Sequence, residues 1–184
     1  LHYLRNVFPN VLPTLDQRLR EAWREVGFDP ALLDDPNHFP RLSFGNCVGG
    51  DRDGHPLVTA EVTEICLKRL RTTALELLQQ QLEALRNALS LAEHRQPVPT
   101  ILQQRITELQ SAFGHRGDRV VYGFRREPWR QLVELFRQAL PESSARENRS
   151  EFSYLRSQDL LQDLRLLRES LLEVGAGRMV RREP

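Results

Sequence analysis

Residues Phe44 to Thr63, FGNCVGGDRDGHPLVTAEVT, hold the densest group of side chains in the chain that could do chemistry. Within them, Gly49-Gly50-Asp51-Arg52-Asp53-Gly54 puts three glycines and three charges into six consecutive positions. Glycine allows positive φ and close approach of a backbone to a ligand. The Arg52 guanidinium is a planar fork that matches a carboxylate or a phosphate. The helix expected from Thr59 onward would add free amides and a partial positive charge at its start. Read this way, the run is an anion site at a strand-to-helix turn. The same residues also permit a plainer arrangement, in which Asp51 and Asp53 cap turns and Arg52 pairs with one of them. The residue types alone leave both open.

Other chemistries fit worse. Asp51-x-Asp53-Gly54 looks like part of an EF-hand, but placing Gly54 at the invariant glycine puts Gly49 at the first ligand position and Ala60 at the last, and neither can bind calcium through its side chain. Cys47, His55 and Cys66 lack paired zinc-ligand spacing, and Cys66 falls on an apolar helical stripe, where a small buried hydrophobe is the ordinary role. Arg116, Arg119, Arg125, Arg126 and Arg130, interleaved with Tyr122, Phe124 and Trp129, have the look of a nucleic-acid patch. Asp118 and Glu127 interrupt it, and the reading favoured is a solvated face or a surface that docks the rest of a larger protein. Arg116-Gly117-Asp118 matches an adhesion tripeptide by letters only.

Composition narrows the classes further. The chain has 184 residues, 40% of them apolar, with 26 basic and 25 acidic side chains and a net charge of +1. That length suits one domain of ordinary size with a real core. The charge balance gives no global field for a polyanion, so no nucleic-acid partner is expected. Lys68 is the only lysine. Two cysteines are too few for a secreted disulfide scaffold, so reduced thiols and a cytoplasmic location are expected. No apolar run approaches the roughly 20 residues of a membrane helix, so no membrane partner is expected. The start at Leu1 points to a segment of something longer.

These residues are positioned by helices. Leu15, Leu19, Ala22 and Trp23 share one face of a helix over Leu12 to Val26, which Gly27 stops. Asp29 to Pro40, with three prolines and three aspartates, is a surface connection with one helical turn after Pro30. Alternation at Arg41 to Val48 predicts one short strand, centred on Leu42 to Phe44, whose pairing partners must lie outside this sequence. From Thr59, a cap, to about Leu91 runs a helix of roughly 50 Å. Its stripe is Val62, Cys66, Leu70, Ala74, Leu77, Leu78, Leu82, Leu85 and Leu89. Thr100 caps a helix to Phe113, Gly114 to Gly117 is a turn, and Val120 to Phe124 is extended. Pro128 opens a helix from Trp129 to Leu140, and Pro141 to Ser150 is polar and mobile. Ser157 caps a last helix to Val174, with Leu160, Leu161, Leu164, Leu167, Leu171 and Leu172 on its core face and Gly175 and Gly177 at its end. The fold class is mainly α, with residues 1–58 carrying a helix, the strand and the glycine loop, and residues 59–184 a helical bundle.

The run Gly49 to Gly54 resembles the signature of phosphoenolpyruvate carboxylases, which follows Phe-x-Ser-Trp-Met and precedes Asn-Pro-x-Val-Thr. Phe44, Gly49 to Gly54, Pro56, Val58, Thr59 and Val62-Thr63 match. Weaker likeness extends over Val7 to Leu19, Glu127-Pro128-Trp129-Arg130 and Asp159 to Gly175. The family's Ser, Trp, Met and Asn are here Asn46, Cys47, Val48 and His55, and cysteine in place of tryptophan removes a large aromatic surface from the active-site wall.

The resemblance implies an internal segment of an α/β-barrel enzyme that converts phosphoenolpyruvate and bicarbonate to oxaloacetate and phosphate. It implies a parent that is a homo-oligomer, with magnesium or manganese neutralising the developing charge. The family's metal ligands and arginine-glycine loops come later in such a chain and its catalytic histidine earlier, in a Thr-Ala-His-Pro setting absent here. This segment is therefore expected to bind no metal and to hold no complete catalytic set. Gly49, Gly50, Asp51, Arg52, Asp53, Gly54 and Cys47 would form an active-site loop. The alternative is a non-catalytic helical scaffold or interaction domain derived from the family. The isolated segment, assayed with phosphoenolpyruvate, bicarbonate and magnesium and coupled to malate dehydrogenase, is expected to stay at background. Turnover by rigorously pure material would overturn this.

Overall fold

The computed structural model describes residues 2–35, 38–40, 42–45, 47–50, 56–89, 91–141 and 153–176. Among them every regular element is helical and no strand is present. The chain divides into two compact units, Leu1–Ala74 and Leu75–Pro184.

In the first unit, α1 spans Phe8–Glu25 and continues a π-helical turn, Tyr3–Val7. It begins four residues before the expected Leu12, because Pro9 sits in its first turn, where a missing N–H costs nothing. Pro13 lies deeper and removes a donor. Nearby, the Asn10 amide donates to the Asn6 carbonyl at 2.8 Å and the Thr14 hydroxyl approaches the Asn10 carbonyl at 3.4 Å. Gly27, at φ 84°, ends the helix as expected. The chain then folds back on Trp23, whose ring lies 4.6 Å from that of Phe28 and whose indole N–H donates to the Asp29 carbonyl. The expected turn after Pro30 is a 3-10 helix, Pro30–Leu33, capped by the Asp29 carboxylate on the Ala31 N–H, and it buries Leu33. The expected strand is not formed: Leu42 to Gly45 has no regular structure, and Arg41 and Asn46 lie outside the described residues. A segment without a neighbouring strand has nothing to satisfy its ladder groups.

The long helix α2 spans Ala60–Ala88, three residues short of the expected end. Leu82 and Leu89 of its predicted stripe are buried, whereas Val62 and Leu78 are exposed.

The second unit is built around α5, Pro128–Ala139, in which Trp129, Leu132, Val133, Leu135, Phe136 and Ala139 are all fully buried. Helices α3 (Thr100–Phe113), α4 (His115–Gly123) and α6 (Ser157–Glu173) pack on it. The expectation of a turn at Gly114 to Gly117 and an extended Val120 to Phe124 is corrected. Gly114 alone turns the chain, at φ 53°, and the helix starts at His115. Gly117 lies inside α4 against the backbone of Gln110, so close that a Cβ would overlap the Gln110 carbonyl. Thr100 and Ser157 are the first residues of their helices rather than the caps; at the start of α6 the Arg156 N–H donates to the Asp159 carboxylate at 3.2 Å. The segment 142–150, expected to be polar and mobile, lies outside the described residues, as does Gly177.

The inward face of α6 also differs from the leucine pattern. Leu160, Leu167 and Leu171 are buried as expected, but Leu161 and Leu172 are exposed while Asp163 and Ser170 are buried. Each buried polar group has partners. Asp163 takes a two-pronged pair from Arg105 of α3, at 2.8 and 2.9 Å, and the Tyr154 hydroxyl. Ser170 accepts from the Trp129 indole at 3.1 Å and donates to the Leu167 carbonyl. Burial, together with the Asp163 carboxylate, raises the Tyr154 phenol far above its ordinary range.

Glu134 is the buried acid of α5, gripped by Arg137 at 2.6 and 2.9 Å and by Arg86 of α2 at 2.6 Å. Burial pushes this carboxyl up, but the guanidiniums of Arg137 and Arg86 together outweigh it and hold it below the usual range. A carboxyl lowered in the folded state contributes stability above its unfolded value, near 4.5, and loses it as pH falls through the lower folded value. Urea midpoints should therefore fall as pH drops from 4.5 to about 3, and the fall should be smaller in Glu134→Gln. An equal pH slope in both proteins would count against this role.

Candidate functional site

The glycine loop is held at its first end by the start of α2. The Thr59 hydroxyl accepts the Val62 N–H at 3.3 Å, the cap expected from the sequence. One turn on, the Thr63 hydroxyl reaches back and donates to the Gly49 carbonyl at 2.6 Å, with the Thr59 carbonyl a longer alternative at 3.2 Å. The Gly50 N–H closes a turn on the Cys47 carbonyl at 3.1 Å. Gly49 adopts φ 73°, and a Cβ there would stand 2.6 Å from the Cys66 sulfur. Two independent reasons thus require glycine: the left-handed backbone and the thiol beneath it. Upstream, the Phe44 ring stacks on Phe8 of α1 with centroids 3.9 Å apart.

Of the predicted site residues, Cys47, Gly49 and Gly50 are brought together at this turn. Cys47 is exposed and both cysteines are free thiols. Asp51, Arg52, Asp53 and Gly54, with His55, lie outside the described residues. Thr63 and Cys66 were not read from the sequence as loop anchors. The sequence signal for Thr63 is its place one turn after the capping Thr59; for Cys66 there is none, since contact with Gly49 depends on the fold. Among the described residues no three His, Cys, Asp or Glu side chains gather to hold a metal ion. No described helix is long and apolar enough to cross a membrane.

The sequence model of the family described as phosphoenolpyruvate carboxylase matches residues 1–183. The chain belongs to the phosphoenolpyruvate carboxylase family. A phosphoenolpyruvate carboxylase of Synechococcus is 29% identical over 95% of the chain, and one of Thermus thermophilus 31% identical over 97%. The corresponding enzyme of Methylorubrum extorquens is 28% identical over 95% of the chain. In each case the chain spans 18% of the relative's length. No solved structure matches it significantly. The match of this carboxylase segment takes in the signature run and the weaker likenesses at Val7 to Leu19, Glu127 to Arg130 and Asp159 to Gly175.

Gly49→Ala should destabilise the first unit by roughly 1–3 kcal/mol, the scale of a side chain forced into a left-handed conformation. In a Cys47→Ser background it should also speed labelling of Cys66 by a thiol reagent. Gly45→Ala, where an added Cβ meets nothing within 4 Å, is the control and should be neutral. Equal labelling rates for the two variants would rule out the Gly49–Cys66 contact.

Proposed function

We propose that this chain is the part of a phosphoenolpyruvate carboxylase that carries the loop at its active-site mouth. In the whole protein, bicarbonate would attack the phosphoryl group of phosphoenolpyruvate. The resulting carboxyphosphate and enolate would then give oxaloacetate and phosphate. The observation that carries this reading is the family match along the chain, and the seating of Gly49 on α2 supports it. Thr63 and Cys66 fix the backbone at Gly49, where the signature run begins.

The magnesium or manganese of the family's chemistry would be held by residues elsewhere in a longer protein, and no step of this segment runs through it. The segment by itself would be inactive. A second reading rests on Cys47. The family's tryptophan would wall an active site, and an exposed cysteine in its place fits a helical scaffold that has lost catalysis. The parent reading frame separates the two, because the enzyme needs the histidine and arginine-glycine motifs and the scaffold does not.

Arg52 is assigned to holding the loop through Asp51 or Asp53, since two carboxylates flank it and an unpaired charge in a tight turn is costly. In the complete enzyme, Arg52→Lys and Asp53→Asn should each lower the melting temperature, and the double variant should lose less than the sum. If Arg52 instead grips substrate, Arg52→Lys will cut activity with the melting temperature unchanged. Full activity and stability in Arg52→Ala would sink both roles.

A further inference from the structure

The second unit contains a cavity of about 550 Å³ that the glycine loop does not contribute to. That volume lies within the range of small-molecule sites. Its lining comes from the last turns of α2 and from α4 and α5, and it includes Arg86, Arg116, Arg119 and Arg137, with Glu134 the one carboxylate among them. Val120, Phe124 and Leu140 contribute its apolar lining.

The guanidiniums differ in how they are held. Arg86 and Arg137 share Glu134, which fixes both planes, and Gln79 braces Arg137 from α2 at 3.2 Å. Arg86 also lies 5.5 Å from the centre of the Phe124 ring, and the exposed Glu83 reaches it at 3.2 Å. These two cations are pre-oriented and largely compensated. Arg116 and Arg119 stand on the same face of α4 as Val120, and Arg119 makes no ion pair among the described residues. Arg119 therefore adds a positive charge beyond those that Glu134 compensates. Guanidinium forks suit oxyanions with two or more acceptor oxygens.

We infer that this cavity binds a small multivalent oxyanion, phosphate or dicarboxylate, with Arg119 as its mobile contact and the Glu134-held pair as its fixed base. The site goes beyond the proposed carboxylase role and shares no residue with the glycine loop. Failure of one reading therefore leaves the other standing.

The test is isothermal titration of the 184-residue chain with inorganic phosphate and with malonate, at ionic strength matched by sodium chloride. Saturable binding is expected at a Kd on the order of 1 mM or tighter. Arg119→Glu should weaken it at least about tenfold, a change of about 1.4 kcal/mol. Because Arg119 is exposed, the melting temperature without ligand should not move. Tighter phosphate or tighter malonate tells which acid the site prefers. No saturable binding of either anion, or unchanged affinity in Arg119→Glu, overturns the site.

Discussion

Enclosing α5 is the constraint on which the second unit depends. Nine of the twelve residues of α5 are buried, among them the polar Gln131 and Glu134, so the helix cannot sit at a surface. Its buried Trp129, Gln131 and Glu134 take partners inside, and each partner fixes a neighbour. The Trp129 indole needs Ser170, which sets α6. The Gln131 amide donates to the Val121 and Phe124 carbonyls, both at 3.1 Å, which sets the end of α4. Arg130 donates to the Arg86 carbonyl at 3.2 Å and the Asn87 carbonyl at 3.3 Å, groups that the end of α2 would otherwise leave unpaired. Apolar burial supplies the driving force, and these directional contacts select one arrangement from the many that would bury the same area.

The first unit is organised differently. α1 buries no residue, and among the described residues of this unit Leu33 is the only large apolar side chain nearly withdrawn from water. Its order comes from local devices: a π-turn, a 3-10 turn with an aspartate cap, stacked aromatic rings and the Thr63 clasp on Gly49. Exposed apolar groups at Val11, Leu15, Leu42, Phe44 and Leu57 accompany it. The described residues of this unit hold Gly49 and Gly50 in place without building a substantial core.

Sequence patterning reached the helices because their period and their stops are local. Thr59, Gly27 and Pro128 act within a turn of themselves, and each does what its chemistry predicts. The failures share a different cause. Val120 to Phe124 has the composition of a strand, but a glycine at 117 lets α4 lie against Gln110, and that contact decides the conformation. Leu161 and Leu172 lost their places on the core face of α6 to Asp163 and Ser170, because Arg105, Tyr154 and Trp129 offer those polar groups partners that no reading of α6 alone can see. At the candidate site the glycine run and its likeness to the carboxylase signature were legible. The thiol under Gly49 was not, since Cys66 is seventeen positions away and reads as one more member of an apolar stripe.

The deep burial of α5 also orders the molecule in time. Amide hydrogens exchange with solvent only when their bonds open, and the free energy of that opening rises with the structure that must be dismantled first. The α5 amides cannot open without displacing α3, α4 and α6, so their deuterium uptake reports the collapse of the whole second unit. Those of α1, with no buried side chain to hold them, exchange through fraying and local opening. A single exchange experiment on this chain would therefore run two clocks, a slow one set by a core and a fast one set by a surface.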